Sequence, residues 1–316
     1  MHQSLFFKLF PPPNFLLMPH AGIDISDDAI SFLEYSRPVG DRVIIKHGRF
    51  PLPSGVVEYG DIKDDAQFVS ILTKIVHDND LLYAKVSIPE EKAYLFETEI
   101  PYGDFNVISQ NIEFKLEENI PIAAQDTVFA FDLLSGDHAK PWRASVSAVP
   151  RMYIERMTSL LGQAGITSVA FETVPRALAR IVSYAGGEDL VIIHVMDHKT
   201  GVYVISEQAV GFTSTIGSGF VESDMSAYTD ALAAEVRRVY SYWLGKTQNE
   251  SSSIKKVIVV GRNSEDVVID LHDKVSDVVS VEAALMWRST LDMTRYVPPI
   301  DKADSFYYGP AAGLAL

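Results

Sequence analysis

The chain has no cysteine among its 316 residues. This absence excludes disulfides, cysteine-containing zinc sites and thiol catalysis, and it agrees with a cytosolic protein. The eight histidines show no spacing that is typical of a metal site. We therefore expect neither a zinc centre nor a thiol enzyme.

Positive charge is also scarce, because 27 lysines and arginines stand against 42 aspartates and glutamates, for a net charge of −15. Binding of nucleic acid needs a basic stripe, and docking on anionic lipid needs a basic surface. Long apolar runs are missing too, since no window reaches the roughly 18 uninterrupted apolar residues of a membrane span. We expect no nucleic-acid partner and no membrane span.

The first 19 residues differ from the rest, with a short apolar run around the lone Lys8 and then three consecutive prolines. They lack the basic region and the small-residue cleavage site of a signal peptide. We expect an apolar arm packed on its own domain, and contact with a partner or a membrane is the alternative. The remaining chain is long enough for two domains or one large bilobed domain.

Beyond the arm, two halves of the chain follow the same order of elements. The first opens with strand-like runs at 22–25 and 29–35, and the second opens at 190–195. Each half continues with a hairpin and later returns to a buried strand, as at 257–261. This order predicts an α/β fold with two similar lobes. Between the halves, 105–119 predicts an amphipathic helix whose core face holds Val107, Ile108, Ile112, Phe114 and Leu116.

Two short motifs are weak evidence of chemistry. Residues 245–247, Gly-Lys-Thr, end like a Walker loop, but they close a predicted helix where such a loop must open one. We interpret Gly245 as a helix cap. Residues 217–219, Gly-Ser-Gly, lack the Gly-x-Ser-x-Gly frame of a nucleophile elbow and predict a turn.

Three strand-then-turn segments, 22–28, 217–219 and 257–261, have the form of phosphate loops, in which backbone amides approach an anion closely. Together with further segments they resemble the PilM family of type IV pilus assembly proteins, relatives of FtsA in the actin-like ATPase superfamily. The resemblance covers nearly the whole chain. The segments that carry it are Gly-Ile-Asp-Ile at 22–25, Val-Ser-Ile-Pro-Glu-Glu at 86–91, Glu-Ile-Pro at 99–101, Leu-Gly-Gln-Ala-Gly-Ile at 161–166, Ala-Leu-Ala-Arg at 177–180 and the closing 308–316.

The resemblance implies an actin-like (ribonuclease H-like) two-lobed α/β fold with a small inserted α+β subdomain. We expect a first lobe from 20–97 and 166–188, joined by a C-terminal helix at 304–316. The inserted subdomain then spans 98–165, and the second lobe spans 189–303.

The resemblance also implies Mg-ATP in a cleft between the lobes, with no catalytic residue assigned. Asp24 is the expected metal ligand if Mg-ATP binds, and Asp27 could join it, because hard oxygens suit Mg²⁺. The residues implied for nucleotide binding are Asp24, Ser26, Asp27, Glu172, Gly217, Gly219 and Gly261.

The nucleotide segments depart from the family pattern. Ser26 replaces a glycine, His194 and Met196 stand where Asp-x-Gly is usual, and Arg262 replaces a second glycine. Asp27 and Asp28 add charge that would repel phosphates by about 1 to 4 kcal/mol per pair. We therefore predict weak nucleotide binding or none, with a working ATPase as the alternative.

The function implied by the resemblance is a cytoplasmic scaffold of pilus assembly, held at the inner membrane through partners. A PilN-like membrane protein would place its N-terminal peptide in a groove between the first lobe and the inserted subdomain. A membrane-polymerising relative of FtsA needs a basic amphipathic helix at its C-terminus, and 308–316 does not supply one. A sugar kinase needs sound phosphate loops. Both alternatives are disfavoured.

Overall fold

The computed structural model describes residues 19–36, 42–134, 141–182, 189–217, 219–220, 224–247 and 254–316. The predicted arm, apart from Pro19, lies outside the described residues, as does Ser218 of the 217–219 turn. The chain divides into two compact units. The first comprises Met1–Pro89, Glu155–Glu172 and Met286–Leu316, and the second comprises Glu90–Ile154 and Thr173–Leu285.

The described residues form strands that are mostly grouped in runs of two or more, separated by helices. The strands are β1 (Ala21–Ile25), β2 (Ala29–Tyr35), β3 (Ile44–Pro51), β4 (Val57–Glu58), β5 (Asp61–Ile62), β6 (Tyr83–Ile88), β7 (Tyr94–Ile100), β8 (Thr127–Leu133), β9 (Trp142–Pro150), β10 (Thr167–Thr173), β11 (Leu190–Val195), β12 (Thr200–Ser206), β13 (Ala209–Ile216), β14 (Lys256–Gly261) and β15 (Ser280–Ala283). The helices are α1 (Asp65–Asp78), α2 (Phe105–Asn119), α3 (Arg151–Gln163), α4 (Val174–Val182), α5 (Met225–Thr247), α6 (Ser264–Val275), α7 (Lys302–Ser305) and α8 (Gly309–Leu314).

Two five-stranded sheets share one topology. Their orders are β10-β6-β1-β2-β3 and β13-β12-β11-β14-β15. In each sheet the opening strand pairs antiparallel with the next strand and parallel with a strand that returns later in the chain. The duplication predicted from the order of elements is therefore present in the strand pairing.

The first sheet is covered by the end of the chain. All five residues of β1 are buried, as expected for a central strand covered on both faces. Every residue of α8 is buried as well, and α8 packs on β1 beside Gly22. A glycine in the first strand thus lets the last helix approach its backbone closely.

The second unit contains a further three-stranded sheet in the order β7-β9-β8, which packs against α2. The predicted bounds of α2 are confirmed, but two of its predicted core residues are not buried. Ile108, Ile112 and Leu116 follow one another at intervals of four and face the sheet. Val107 and Phe114 lie off this stripe, and their side chains are 40% and 80% exposed.

The longest helix, α5, continues to Thr247, so Gly245 lies inside the helix and the predicted cap at this glycine is wrong. Its fully buried Trp243 donates a hydrogen bond of 2.7 Å from Nε1 to Asp189. Among the described residues, no helix is both long and apolar enough to cross a membrane.

Candidate functional site

Ser26 lies at the turn between β1 and β2, and Asp24 lies two residues before it on β1. Both belong to the first of the three predicted phosphate segments. The amide and hydroxyl of Ser26 each donate to the carbonyl of Ala29 at 3.0 Å, and the hydroxyl accepts from the Ala29 amide at 3.1 Å. Ser26 therefore uses its hydroxyl to close the turn. Asp24 is buried on β1 opposite Ser31.

Asp27, predicted as a second metal-side oxygen, is bound by a neighbouring hairpin. Its carboxylate accepts from the amides of Tyr59 at 3.0 Å and Gly60 at 2.9 Å. These two residues join β4 to β5, and both have positive φ, as in a type I′ turn. The negative charge of Asp27 thus has backbone donors from within the first unit.

Glu172, the fourth candidate of the first unit, lies on β10. Because β6 separates β10 from β1 in the sheet, Glu172 is two strands away from Asp24. The structure therefore brings Asp24, Ser26 and Asp27 together at one turn and places Glu172 apart from them.

Two of the three glycine candidates of the second unit, Gly219 and Gly261, lie close to the end of β11 and the turn that follows it. A methyl group on Gly261, where φ is +103°, would lie 2.1 Å from the carbonyl oxygen of Val195, and one on Gly219 would lie 2.0 Å from that of Asp197. Gly261 thus allows a close approach of backbone to the last residue of β11, and Gly219 allows one to the β11–β12 turn at 196–199. Gly217 directly follows β13, and no described atom lies within 4 Å of a methyl group added to it.

Arg262 also binds this turn. Its amide donates to the carbonyl of Val195 at 3.0 Å, and its guanidinium forms an ion pair with Asp197. The Cζ of the same guanidinium lies over the ring of Phe220, 5.7 Å from its centroid. Where the sequence lacks the family glycine, the side chain of Arg262 thus pairs with an acid of the same unit.

His194 replaces the expected metal-side acid and is fully buried on β11. Burial, with the positive charge of Lys199 as a second cause, lowers the pKa of His194 to about 3. A neutral imidazole cannot substitute for a carboxylate toward Mg²⁺, which prefers oxygen. Within the described ranges, no group of three or more His, Asp or Glu side chains is arranged to hold a metal.

A second candidate site, which sequence reasoning missed, is a groove of about 450 Å³ in the second unit, at the three-stranded sheet β7-β9-β8. It lies along β8, which pairs only with β9 among the described strands and so has an open edge. The residues that line it are Phe105, Ser109, Thr127, Val128, Phe129, Ala130, Phe131 and Arg151.

Aromatic rings and one arginine shape this groove. Phe105 is 70% exposed, and its ring stacks on that of Phe131 with centroids 5.6 Å apart. Arg151 donates to the carbonyls of Gln125 at 3.2 Å and Thr127 at 3.0 Å, which fixes the start of β8. An open strand edge beside an apolar groove can accept an extended peptide, because the backbone supplies hydrogen bonds and the groove supplies side-chain contacts.

Neither family models nor curated proteins match this sequence. Among solved structures, it is similar to the PilM-PilN type IV pilus biogenesis complex, with a TM-score of 0.75 and 16% identity over 95% of this chain and 98% of that one. The predicted actin-like fold is confirmed. The predicted resemblance to PilM is likewise confirmed as a resemblance of structure.

Two further solved structures share the fold more distantly. The ethanolamine utilization protein EutJ of Carboxydothermus hydrogenoformans has a TM-score of 0.52 and 13% identity, over 97% of this chain and 90% of that chain. The cytoplasmic domain of EpsL, from the type II secretion system of Vibrio cholerae, has a TM-score of 0.50 and 14% identity, over 92% and 93%. At such identities these likenesses establish the fold.

Proposed function

We propose that the chain is a cytoplasmic scaffold of type IV pilus assembly that binds the N-terminal peptide of a PilN-like inner-membrane protein. The observation that carries the proposal is the structural likeness to PilM of the PilM-PilN complex over 95% of the chain. The protein would lie at the inner membrane through this partner. Its role would be to position the partner without catalysis.

The groove along β8 is the proposed peptide site, in place of the groove between the first lobe and the inserted subdomain that the resemblance implies. An extended peptide could add to the open edge of β8 while its apolar side chains contact the rings of Phe105 and Phe131. The residues that line the groove are mainly apolar, although the whole chain is strongly acidic. Apolar and backbone contacts would therefore carry the affinity, so it should depend only weakly on salt.

Replacement of Phe105 by glutamate is expected to weaken binding of the partner peptide at least tenfold, about 1.4 kcal/mol, because a charge would enter the apolar groove. The fold should tolerate the change, since Phe105 is the first residue of α2, where a negative charge is favourable. Fluorescence anisotropy with a labelled peptide from the first residues of the PilN-like protein measures the affinity.

Phe114→Glu is the matched control. Phe114 lies on the same helix and is 80% exposed, but it does not line the groove. We expect this variant to bind the peptide like the wild type. Equal affinities for wild type and Phe105→Glu would show that the groove is not the peptide site.

Weak nucleotide binding or none is the second part of the proposal. Ser26, Asp27 and Arg262 all have partners within their own units. We expect calorimetry with ATP and Mg²⁺ to give a dissociation constant weaker than about 1 mM, an affinity of about 4 kcal/mol. A micromolar dissociation constant together with slow hydrolysis would instead support the alternative, a working actin-like ATPase.

A further inference from the structure

Two carboxylates share one ammonium group inside the second unit. Glu90 and Glu91 form the short 3₁₀ turn that follows β6 and enters β7. Lys199 comes from the turn between β11 and β12, more than a hundred residues later in the chain. Its Nζ forms an ion pair with Glu91 and lies 3.7 Å from Oε1 of Glu90.

The cluster is largely withdrawn from water. The side chain of Glu90 is 4% exposed, that of Lys199 is 17% exposed and that of Glu91 is 23% exposed. Burial of an ion is costly unless its charge is balanced. With both carboxylates ionised, the cluster carries one negative charge in excess, and the more deeply buried Glu90 is the more distant from the ammonium.

We propose that Glu90, Glu91 and Lys199 form a proton-sensitive latch between the turn that enters β7 and the β11–β12 turn. When Glu90 carries a proton, the single charge of Glu91 balances that of Lys199 and the latch is closed. When Glu90 ionises, the second buried carboxylate repels the first and the latch weakens.

The groups that face Glu90 agree with this direction. Burial is the largest influence and raises the pKa of Glu90, and the charge of Glu91 raises it further. Lys199, the backbone of Glu90 and the hydroxyl of Tyr203 on β12 act in the opposite direction. His194 on β11 contributes no charge near neutral pH, because its pKa is about 3.

The sign of the pH effect follows from the raised pKa. The folded protein holds the proton of Glu90 at pH values where the unfolded chain has lost it, so the stabilisation is greatest at low pH. It is lost as the pH rises through the folded pKa. The latch should therefore open on the alkaline side.

Hydrogen exchange of the full chain, measured by mass spectrometry between pH 5 and 8.5 and corrected for intrinsic rates, tests the latch. In the wild type, protection of 90–93 and 196–199 should fall as the pH rises. Glu90→Gln, which mimics the protonated side chain, should keep its protection and exceed the wild type severalfold at the alkaline end. Lys199→Met should make the loss of protection with rising pH steeper than in the wild type.

Glu91→Gln is the matched control, because it removes a neighbouring carboxylate of the same type. It should lower protection at acidic pH, where the charge of Glu91 balances that of Lys199. The proposal is wrong if Glu90→Gln is less protected than the wild type at every pH, or if Lys199→Met leaves the pH dependence unchanged. These readouts do not involve the partner peptide, so they remain valid whether or not the proposed function holds.

Discussion

Replacement of Gly22 by alanine is expected to destabilise the first unit by about 3 kcal/mol or more, the upper range for overpacking of a core. The added methyl group would lie 2.0 Å from the carbonyl oxygen of Ala311, 2.7 Å from the amide of Ala315 and 2.8 Å from Cβ of Leu314. Two of these atoms belong to the backbone, one inside α8 and one just after it, so no side-chain rotation relieves the clash.

Chemical denaturation followed by circular dichroism measures this effect, with Gly162→Ala as the control. Gly162 lies in α3, and no described atom lies within 4 Å of the position of an added methyl group. Alanine there should stabilise the helix by about 0.5 to 1 kcal/mol. If Gly22→Ala proved as stable as the wild type, the close contact between β1 and α8 would be wrong.

Acidification from pH 7.5 to pH 5 is expected to remove about 2 kcal/mol of stability through His194 alone. The pKa of this side chain is lowered from 6.5 to about 3, first by burial and then by the charge of Lys199. Below pH 6.5 the unfolded chain binds a proton that the folded protein excludes. Stability is therefore present at neutral pH and is lost as the pH falls.

His194→Leu should abolish most of this acid loss, because leucine fills the buried position without a titrating group. Urea unfolding at pH 7.5, 6 and 5 gives, for each protein, the slope of the free energy of unfolding against pH. Some slope should remain in the variant, since partial burial also lowers the pKa of His47. Equal slopes in the variant and the wild type would show that His194 is not held neutral in the folded state.

His194 and Glu90 place opposite limits on the pH range of the second unit. Stability falls at acidic pH because the buried His194 must stay neutral in the folded protein. It falls at alkaline pH because the buried carboxylate of Glu90 repels that of Glu91. Both lie close to Lys199, which lowers the pKa of each. We therefore expect the variants of Lys199 to change both limits together.

The elements of the fold were largely predictable because their signals are local. The apolar run at 190–195 and the amphipathic helix predicted at 105–119 agree with β11 and α2. The short strands β4 and β5 escaped prediction, since two residues are too few to show a period. Val107 and Phe114 were misassigned because an apolar residue beside the buried stripe looks like a core residue in sequence.

The candidate sites were predictable only in part. The sequence placed the glycines at 219 and 261 after strands, and it identified His194, Met196 and Arg262 as departures from a nucleotide-binding pattern. It did not show that Asp27 binds the amides of Tyr59 and Gly60, because that contact spans more than thirty residues. The groove along β8 was missed for a similar reason, as Phe105 and Arg151 are far apart in sequence.

The sequence alone determined the absence of cysteine, the excess of acidic residues and the repeated order of strands. Composition and pattern do not depend on which residues are in contact in the fold. The partners of individual side chains were decided by the tertiary structure. In the sequence, Lys199 is only a polar residue of a turn. The fold places it beside Glu90 and Glu91, which are more than a hundred residues away along the chain. Charge balance and burial depend on such distant neighbours, and for that reason the latch and the groove became visible only in three dimensions.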